Sequence, residues 1–203
     1  MDNEKIAHIK EWLGSGSINI FGLPMRGKDT VGKRLAEALD ARFLSSGAIL
    51  RERAAKEVAS GMLVETELFR SLVLPYFSGS EFYGRPLILS SIGRWSGEEK
   101  MVMDALERSG HPLKAVLLLD VSEVDVRNRW ETARVLGERG KREDDSSKEI
   151  FETRLREFDE KTVPVIQRYL RMGLLVHAWA DGSRDAVFTE VIENLWKKSI
   201  DKA

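Results

Sequence analysis

Short apolar runs that alternate with helix-length amphipathic segments constrain this chain more than any other feature. INIF (18–21), RFLSS (42–46), PLILSS (86–91), AVLLLD (115–120) and LLVHAW (174–179) read as strands. Between and after them the pattern predicts helices from Lys28 to Asp40, over roughly 48–60 and 65–77, and from about Gly97 to Arg108. Further helices are expected from Ser122 to about Arg134, from Ser146 to Arg171 and from Ser183 to Ile200. Strands this short and apolar, alternating with helices, imply a parallel sheet covered on both faces, an α/β fold in three layers. Ahead of the first strand, Ile6, Ile9, Trp12 and Leu13 mark an amphipathic helix closed by GSGS, expected to pack as an N-terminal arm over 1–16.

Sheets of this kind bind ligands at the carboxyl ends of their strands, where the strand order reverses. Chemistry-bearing residues gather at those ends: Lys28 after the first strand, Ser46 and Gly47 after the second, and Arg94 after the third. The segment FGLPMRGKDT (21–30) is a glycine-rich turn between strand and helix. Such a turn points backbone N–H groups inward with the helix's positive end behind them, a cradle for phosphate to which Lys28 adds a point charge. The general phosphate-loop pattern places a hydroxyl directly after the lysine; here Asp29 stands there and Thr30 follows one step late. Arg94, Arg129, Arg134, Arg142 and Arg154 fall on or near segments that end at the same sheet edge. Phosphoryl transfer needs such cations to spread charge without doing covalent chemistry. Arg127, Arg139 and Lys141 read as a solvated helix face.

Composition narrows the choice. A chain of 203 residues and 23.0 kDa suits one core, so a single domain over 1–203 is expected. No apolar run approaches the ~18 residues of a membrane helix, and a net charge of −1 gives no general field for nucleic acid or anionic lipid. With no cysteine and only His8, His111 and His177, disulfides, thiolate metal sites and a histidine zinc site fall away. MDNEKIAHIKEW lacks the order of a signal peptide, so a cytoplasmic location is expected, with no nucleic-acid or membrane partner.

Taken in order, these segments resemble the adenylate kinase and nucleoside monophosphate kinase family. Its loop, G-x-P-G-x-G-K-G-T, matches at Gly22, Pro24, Gly27, Lys28 and Thr30, so the late threonine is the family's own arrangement. SSGAILR (45–51) resembles S-T-G-D-x-x-R, with Ser46 and Gly47 beside the acceptor and Arg51 on its phosphate. GMLV (61–64) is similar to the G-x-L-V stretch that lines the acceptor base at Val64. ILSSIGRWSGE (88–98) stands where the family has D-G-F-P-R-T-x-x-Q, which gives Arg94 the acceptor phosphate and Glu98 the base-reading place. LLLDVSEVDVRNR resembles the segment leading to an arginine on the donor base, here Arg129. REDD (142–145) and TRL (153–155) resemble the segments whose arginines close on the transferred group, here Arg142 and Arg154. TVPVIQRYLRMGLLVHAWADGS (162–183) is similar to the family's closing segment.

The resemblance implies a P-loop kinase fold with acceptor-binding helices over about 46–77 and a short lid at about 135–142. It also implies a monomer that uses ATP and Mg²⁺ to phosphorylate a nucleoside monophosphate, AMP first, in nucleotide biosynthesis. Four departures qualify it. Ala48 and Ser90 replace two acids that would help hold water around Mg²⁺, while Asp29 adds one. Asp29 reads either as a replacement in the Mg²⁺ shell or as a first-turn acid favoured by the helix dipole. Glu98 replaces glutamine, and reads either as a carboxylate suited to the N1–H and N2–H₂ donors of guanine or as an acid of its helix's first turn. Trp95 either stacks on a base or fills space; His111 and His177 read as structural; Asp144 and Asp145 orient lid arginines or cap the next helix. A nucleotide-binding protein with little catalysis is the alternative that the lost acids leave open.

Overall fold

The structure, a computed structural model, describes residues 3–135 and 147–201. Strands β1 (Ser17–Phe21), β2 (Arg42–Ser45), β3 (Leu87–Ser90), β4 (Leu113–Asp120) and β5 (Leu175–Trp179) form one five-stranded sheet in the order β2-β3-β1-β4-β5. Every pairing is parallel, with Ile20 level with Ser90 on one side of β1 and with Leu117 on the other. From central β1 the chain runs to the edge strand β2, returns to β3 beside β1, and then crosses to β4 and β5 on the other side. The carboxyl end of β1, where the glycine-rich turn begins, is therefore the topological switch point.

Alternation of side chains along the strands gives the sheet two apolar faces. Ile18, Ile20, Ile88, Leu117 and Val176 point to one, packing with residues of α1 (Asn3–Leu13), α2 (Lys28–Leu39), α7 (Glu123–Val135), α8 (Lys148–Glu157) and α10 (Arg184–Ile200). Leu87 and Leu89 point to the other, against α3 (Ser46–Arg53), α5 (Thr66–Val73) and α6 (Glu98–Arg108), while Phe21 and Val116 meet α9 (Val163–Arg171) there. The N-terminal arm is the expected helix, and it buries Ile9 and Leu13 completely. Among the described residues no helix is long and apolar enough to cross a membrane.

Three expected helices are altered: the one foreseen over 65–77 is α-helical only over Thr66–Val73 and passes into a 3₁₀ turn at Leu74–Ser78, and two others are interrupted. The one foreseen over 48–60 starts at Ser46 and divides at Ala54, whose φ of −144° and ψ of 48° separate α3 from α4 (Ala55–Val58). The long helix foreseen from Ser146 to Arg171 contains a π turn at Phe158–Thr162, closed by the Val163 N–H on the Phe158 carbonyl. Pro164 is the physical reason. It has no N–H to return to the Glu160 carbonyl, so the helix takes up an extra residue there rather than break.

Candidate functional site

The turn after β1 is built by close approach. Gly22 lies so near β4 that a Cβ there would stand 2.6 Å from the Leu119 carbonyl oxygen. Gly27, at φ 70°, starts α2. Met25 stands where the family pattern has glycine and still takes φ 66°, a left-handed conformation that strains a side-chain-bearing residue. The Lys28 ammonium donates to the Gly22 and Leu23 carbonyls at 2.9 Å each, folding back across the loop's mouth. Asp29 accepts from the Ser90 hydroxyl at 2.8 Å, and both line one cleft with Thr30 and Lys28.

On the β2–β3 side, the cleft meets Ser46, Gly47, Arg51, Arg94 and Arg154. The Ser45 hydroxyl caps α3 by accepting from the Ala48 N–H. Ser46 donates to the Ser91 carbonyl at 2.7 Å, so its hydroxyl ties α3 to the end of β3. Arg51 folds over Gly47 so closely that a Cβ there would come within 3.1 Å of its guanidinium. Arg94 follows the loop that β1 anchors: Asn19, wholly buried, donates to the Ile92 carbonyl at 2.7 Å and accepts from its N–H at 3.2 Å. The Arg94 Nε in turn donates to the Thr162 hydroxyl at 3.3 Å. Burial, then the like charge of Arg154, pushes the Arg94 pKa down to about 10 against Glu157 and Glu98. Two guanidiniums held at each other's expense suit an anion between them.

Arg51, Arg94 and Arg154 also line an adjoining pocket that runs away from the loop, past Val64, Phe69, Trp95 and Glu98. Glu98 is the first residue of α6, and its buried carboxylate accepts from the Arg94 N–H (2.8 Å), the Trp95 N–H (2.9 Å) and the Thr66 hydroxyl (2.8 Å). Burial nevertheless pushes its pKa up. The first-turn role is therefore satisfied in full, and the same carboxylate still faces the pocket. Lys161 lies 4.1 Å over the Trp95 ring and donates to Glu157, which also accepts from the Leu63 N–H at 3.0 Å.

A second pocket opens on the other side of the loop, between α2, α7 and the turn after β5. Arg129 lines it and donates to the Ala180 carbonyl at 3.0 Å; Thr132, Gly182 and Phe188 complete its walls, with Arg34 stacked 4.1 Å over the Phe188 ring. Met25, Arg26, Gly27 and Thr30 belong both to this pocket and to the cleft. Arg142, like the lid beyond Val135 and Asp144 and Asp145, lies outside the described residues. Arg127 keeps a partly solvated face, 38% of its side chain being exposed, and bonds Glu123 and Glu152, so that it also ties α7 to α8. His111 donates from Nδ1 to the Ser15 carbonyl (3.0 Å), and His177 meets Asp120 at 2.8 Å, both away from the cleft.

Sequence reasoning missed Asn19, Arg26, Thr66 and Thr162. A lone amide inside the apolar run INIF and a bulky cation among loop glycines were the available signals; for the two threonines the chain offers none.

No family model matches the chain. Curated adenylate kinases do resemble it. That of Agrobacterium fabrum (strain C58) is 30% identical over 191 residues, covering 88% of this chain and 96% of the relative. That of Prochlorococcus marinus (strain MIT 9313) is 28% identical over 185 residues, 86% of this chain and 96% of its own. Among solved structures, a gluconokinase from Sinorhizobium meliloti 1021 superposes with a TM-score of 0.63 at 15% identity, over 92% of this chain and 95% of its own, a likeness of fold alone. Sequence kinship of that extent, on a five-stranded parallel sheet with a phosphate loop at its switch point, makes the chain a member of the adenylate kinase family with the P-loop kinase fold.

Proposed function

We propose that the protein transfers the γ-phosphoryl group of ATP to the phosphate of a nucleoside monophosphate, with AMP as the first acceptor and GMP as the competing one. One observation carries this reading: a single cationic cleft joins two separate pockets of the kind a base would fill, sharing Arg51, Arg94 and Arg154 with one and the loop residues with the other. Two nucleotides meeting phosphate to phosphate need that plan. A metabolite acceptor needs only one such pocket and an acid to take a hydroxyl proton.

In this reading Lys28 and the amides of Gly22 to Thr30, with Pro24 shaping the turn, hold the donor phosphates. Ser46 and Gly47 frame the acceptor, Arg51 and Arg94 hold its phosphate, and Val64 and Glu98 meet its base. Arg129 packs on the donor base, and Arg142 and Arg154 neutralise the transferring group. An acceptor phosphate oxygen attacks the γ-phosphorus while the bond to the β–γ bridging oxygen breaks, releasing ADP. The attacking oxygen is already anionic, so no side chain need act as a strong base. Lys28, Arg94 and Arg154 instead offer charge where it is shifting.

The oxygen donors at the loop fit Mg²⁺: the Asp29 carboxylate and the hydroxyls of Thr30 and Ser90 line the cleft together, and this ion commonly takes one or two carboxylates plus phosphate oxygens and water. Among the described residues no group of three or more acidic, histidine or cysteine side chains converges, which suits an ion held largely by its nucleotide. When bound, Mg²⁺ would screen the negative charge of the phosphates.

A coupled transfer assay with ATP and AMP, GMP, CMP or UMP, each with and without Mg²⁺, tests the proposal. Magnesium-dependent product with AMP is the expected result. Higher turnover of GMP would replace AMP as acceptor. Tight nucleotide binding without product would leave a nucleotide-binding protein, and equal turnover of an unphosphorylated nucleoside would end the two-phosphate reading.

A further inference from the structure

Arg26 lies inside the phosphate loop, between Met25 and Gly27, and only 3% of it is exposed. Its Nη2 donates to the Ser122 carbonyl at 3.0 Å. Its Nε and Nη1 are buried and meet no hydrogen-bond partner among the described residues. Native proteins seldom leave buried donors unpaired, and a charged group with two of them is costlier still. Arg26 borders both the cleft and the pocket of Arg129, at the junction between the two.

The electrostatics agree. Burial chiefly, then the like charge of Arg129, pushes the Arg26 pKa down to about 10, while Asp181, Asp125 and Asp120 oppose the change. Those acids soften the charge, yet none accepts from Nε or Nη1. An anion arriving between Arg26 and Arg129 would relieve their repulsion and supply acceptors in the planar geometry a guanidinium fork presents.

We propose that Arg26 is a phosphate-binding residue of the donor site, its Nε–H and Nη1–H given to a phosphate oxygen of the nucleotide seated on the loop. This rests on the reading of the loop as the donor-phosphate site, and it adds a side-chain fork to a cradle otherwise made of backbone amides and Lys28. The site would thereby distinguish a polyphosphate from a bare nucleoside.

Binding of ATP, inorganic tripolyphosphate and adenosine to the wild type, Arg26→Met and Arg26→Lys, by titration calorimetry, tests this directly. Arg26→Met is expected to weaken ATP and tripolyphosphate by about tenfold to a hundredfold and leave adenosine unchanged, with Arg26→Lys recovering part of the loss. Wild-type affinity for ATP and tripolyphosphate in Arg26→Met would overturn the role of Arg26 while leaving the loop's role intact. Failure of the wild type to bind either would overturn both. Should Arg26→Met not fold, Arg26→Lys decides alone: unchanged polyphosphate affinity without the fork refutes the proposal, and a selective loss supports it.

Discussion

The Ser90 hydroxyl donates to the Asp29 carboxylate at 2.8 Å, linking the end of β3 to the first turn of α2. Ser90 holds the place where the family pattern has an acid, and Asp29 the place where it has glycine. A carboxylate has in effect moved about the length of one hydrogen bond, from the strand to the loop. Asp29→Gly is therefore expected to raise the Mg²⁺ concentration needed for half-maximal transfer by about tenfold or more. Adding Ser90→Asp to that variant should restore it. A Mg²⁺ titration of both proteins checks this, and an unchanged requirement in Asp29→Gly would reduce Asp29 to a helix-start acid.

Glu98 invites a pH experiment. Burial raises its pKa, so the folded state takes up a proton more readily than the unfolded chain. Unfolding free energy contributed by this group then falls as pH rises from its ordinary value of about 4.5 through the raised folded one. Glutamine can keep every contact: its oxygen accepts from the Arg94 and Trp95 amides and its NH₂ donates to Thr66. Glu98→Gln should thus gain on the wild type in urea unfolding as pH rises above about 4.5. Glu98→Ala leaves two buried amides unpaired and should lose about 1–3 kcal/mol for each.

Arg94 separates binding from folding. It is held next to Arg154 at a cost to its own charge, and Arg94→Met removes that cost. The expected outcome is a fall in kcat/KM for the acceptor by about 100-fold or more with thermal stability preserved or raised. Steady-state kinetics at varied acceptor concentration, beside a melting curve, would expose a purely structural role as the reverse pattern.

Asn19 does the opposite. Asn19→Leu removes both bonds to Ile92 and leaves its buried N–H and carbonyl without partners, a loss of about 2–5 kcal/mol in unfolding free energy. Because that bond pair fixes the loop carrying Arg94, the acceptor KM should rise as well. Denaturant midpoints and kinetics on one preparation check both.

Much of the frame was legible because it is local. All five strand runs lie within two residues of β1 to β5 at each end, AVLLLD lacking only Leu113 and Lys114 of β4. Burial on both faces makes such runs continuous and so easy to see. The loop was legible for the same reason: Gly22 and Gly27 take positive φ in a turn that only a few residues permit. What escaped was everything that depends on a partner distant in the chain. Nothing near Thr162 says that it will meet Arg94, and nothing near Glu157 points to Leu63. Ala54, an ordinary helix former, gives no sign of the break at α3. Glu98 was read as either a base contact or a first-turn acid, yet a side chain buried at a helix start can cap and face a ligand together.

The π turn at Phe158–Thr162 has a consequence for how the arginines are aimed. Each residue advances an α-helix by about 100°, so one residue more or fewer upstream of Pro164 would swing Arg154 to a different side of the cylinder. The inserted residue acts as a phase setting: α9 keeps Tyr169 in the core beneath the sheet while α8, on the same continuous rod, turns Arg154 into the cleft. One helix thus serves two masters whose angular demands differ, and a single-residue deletion there would set them against each other.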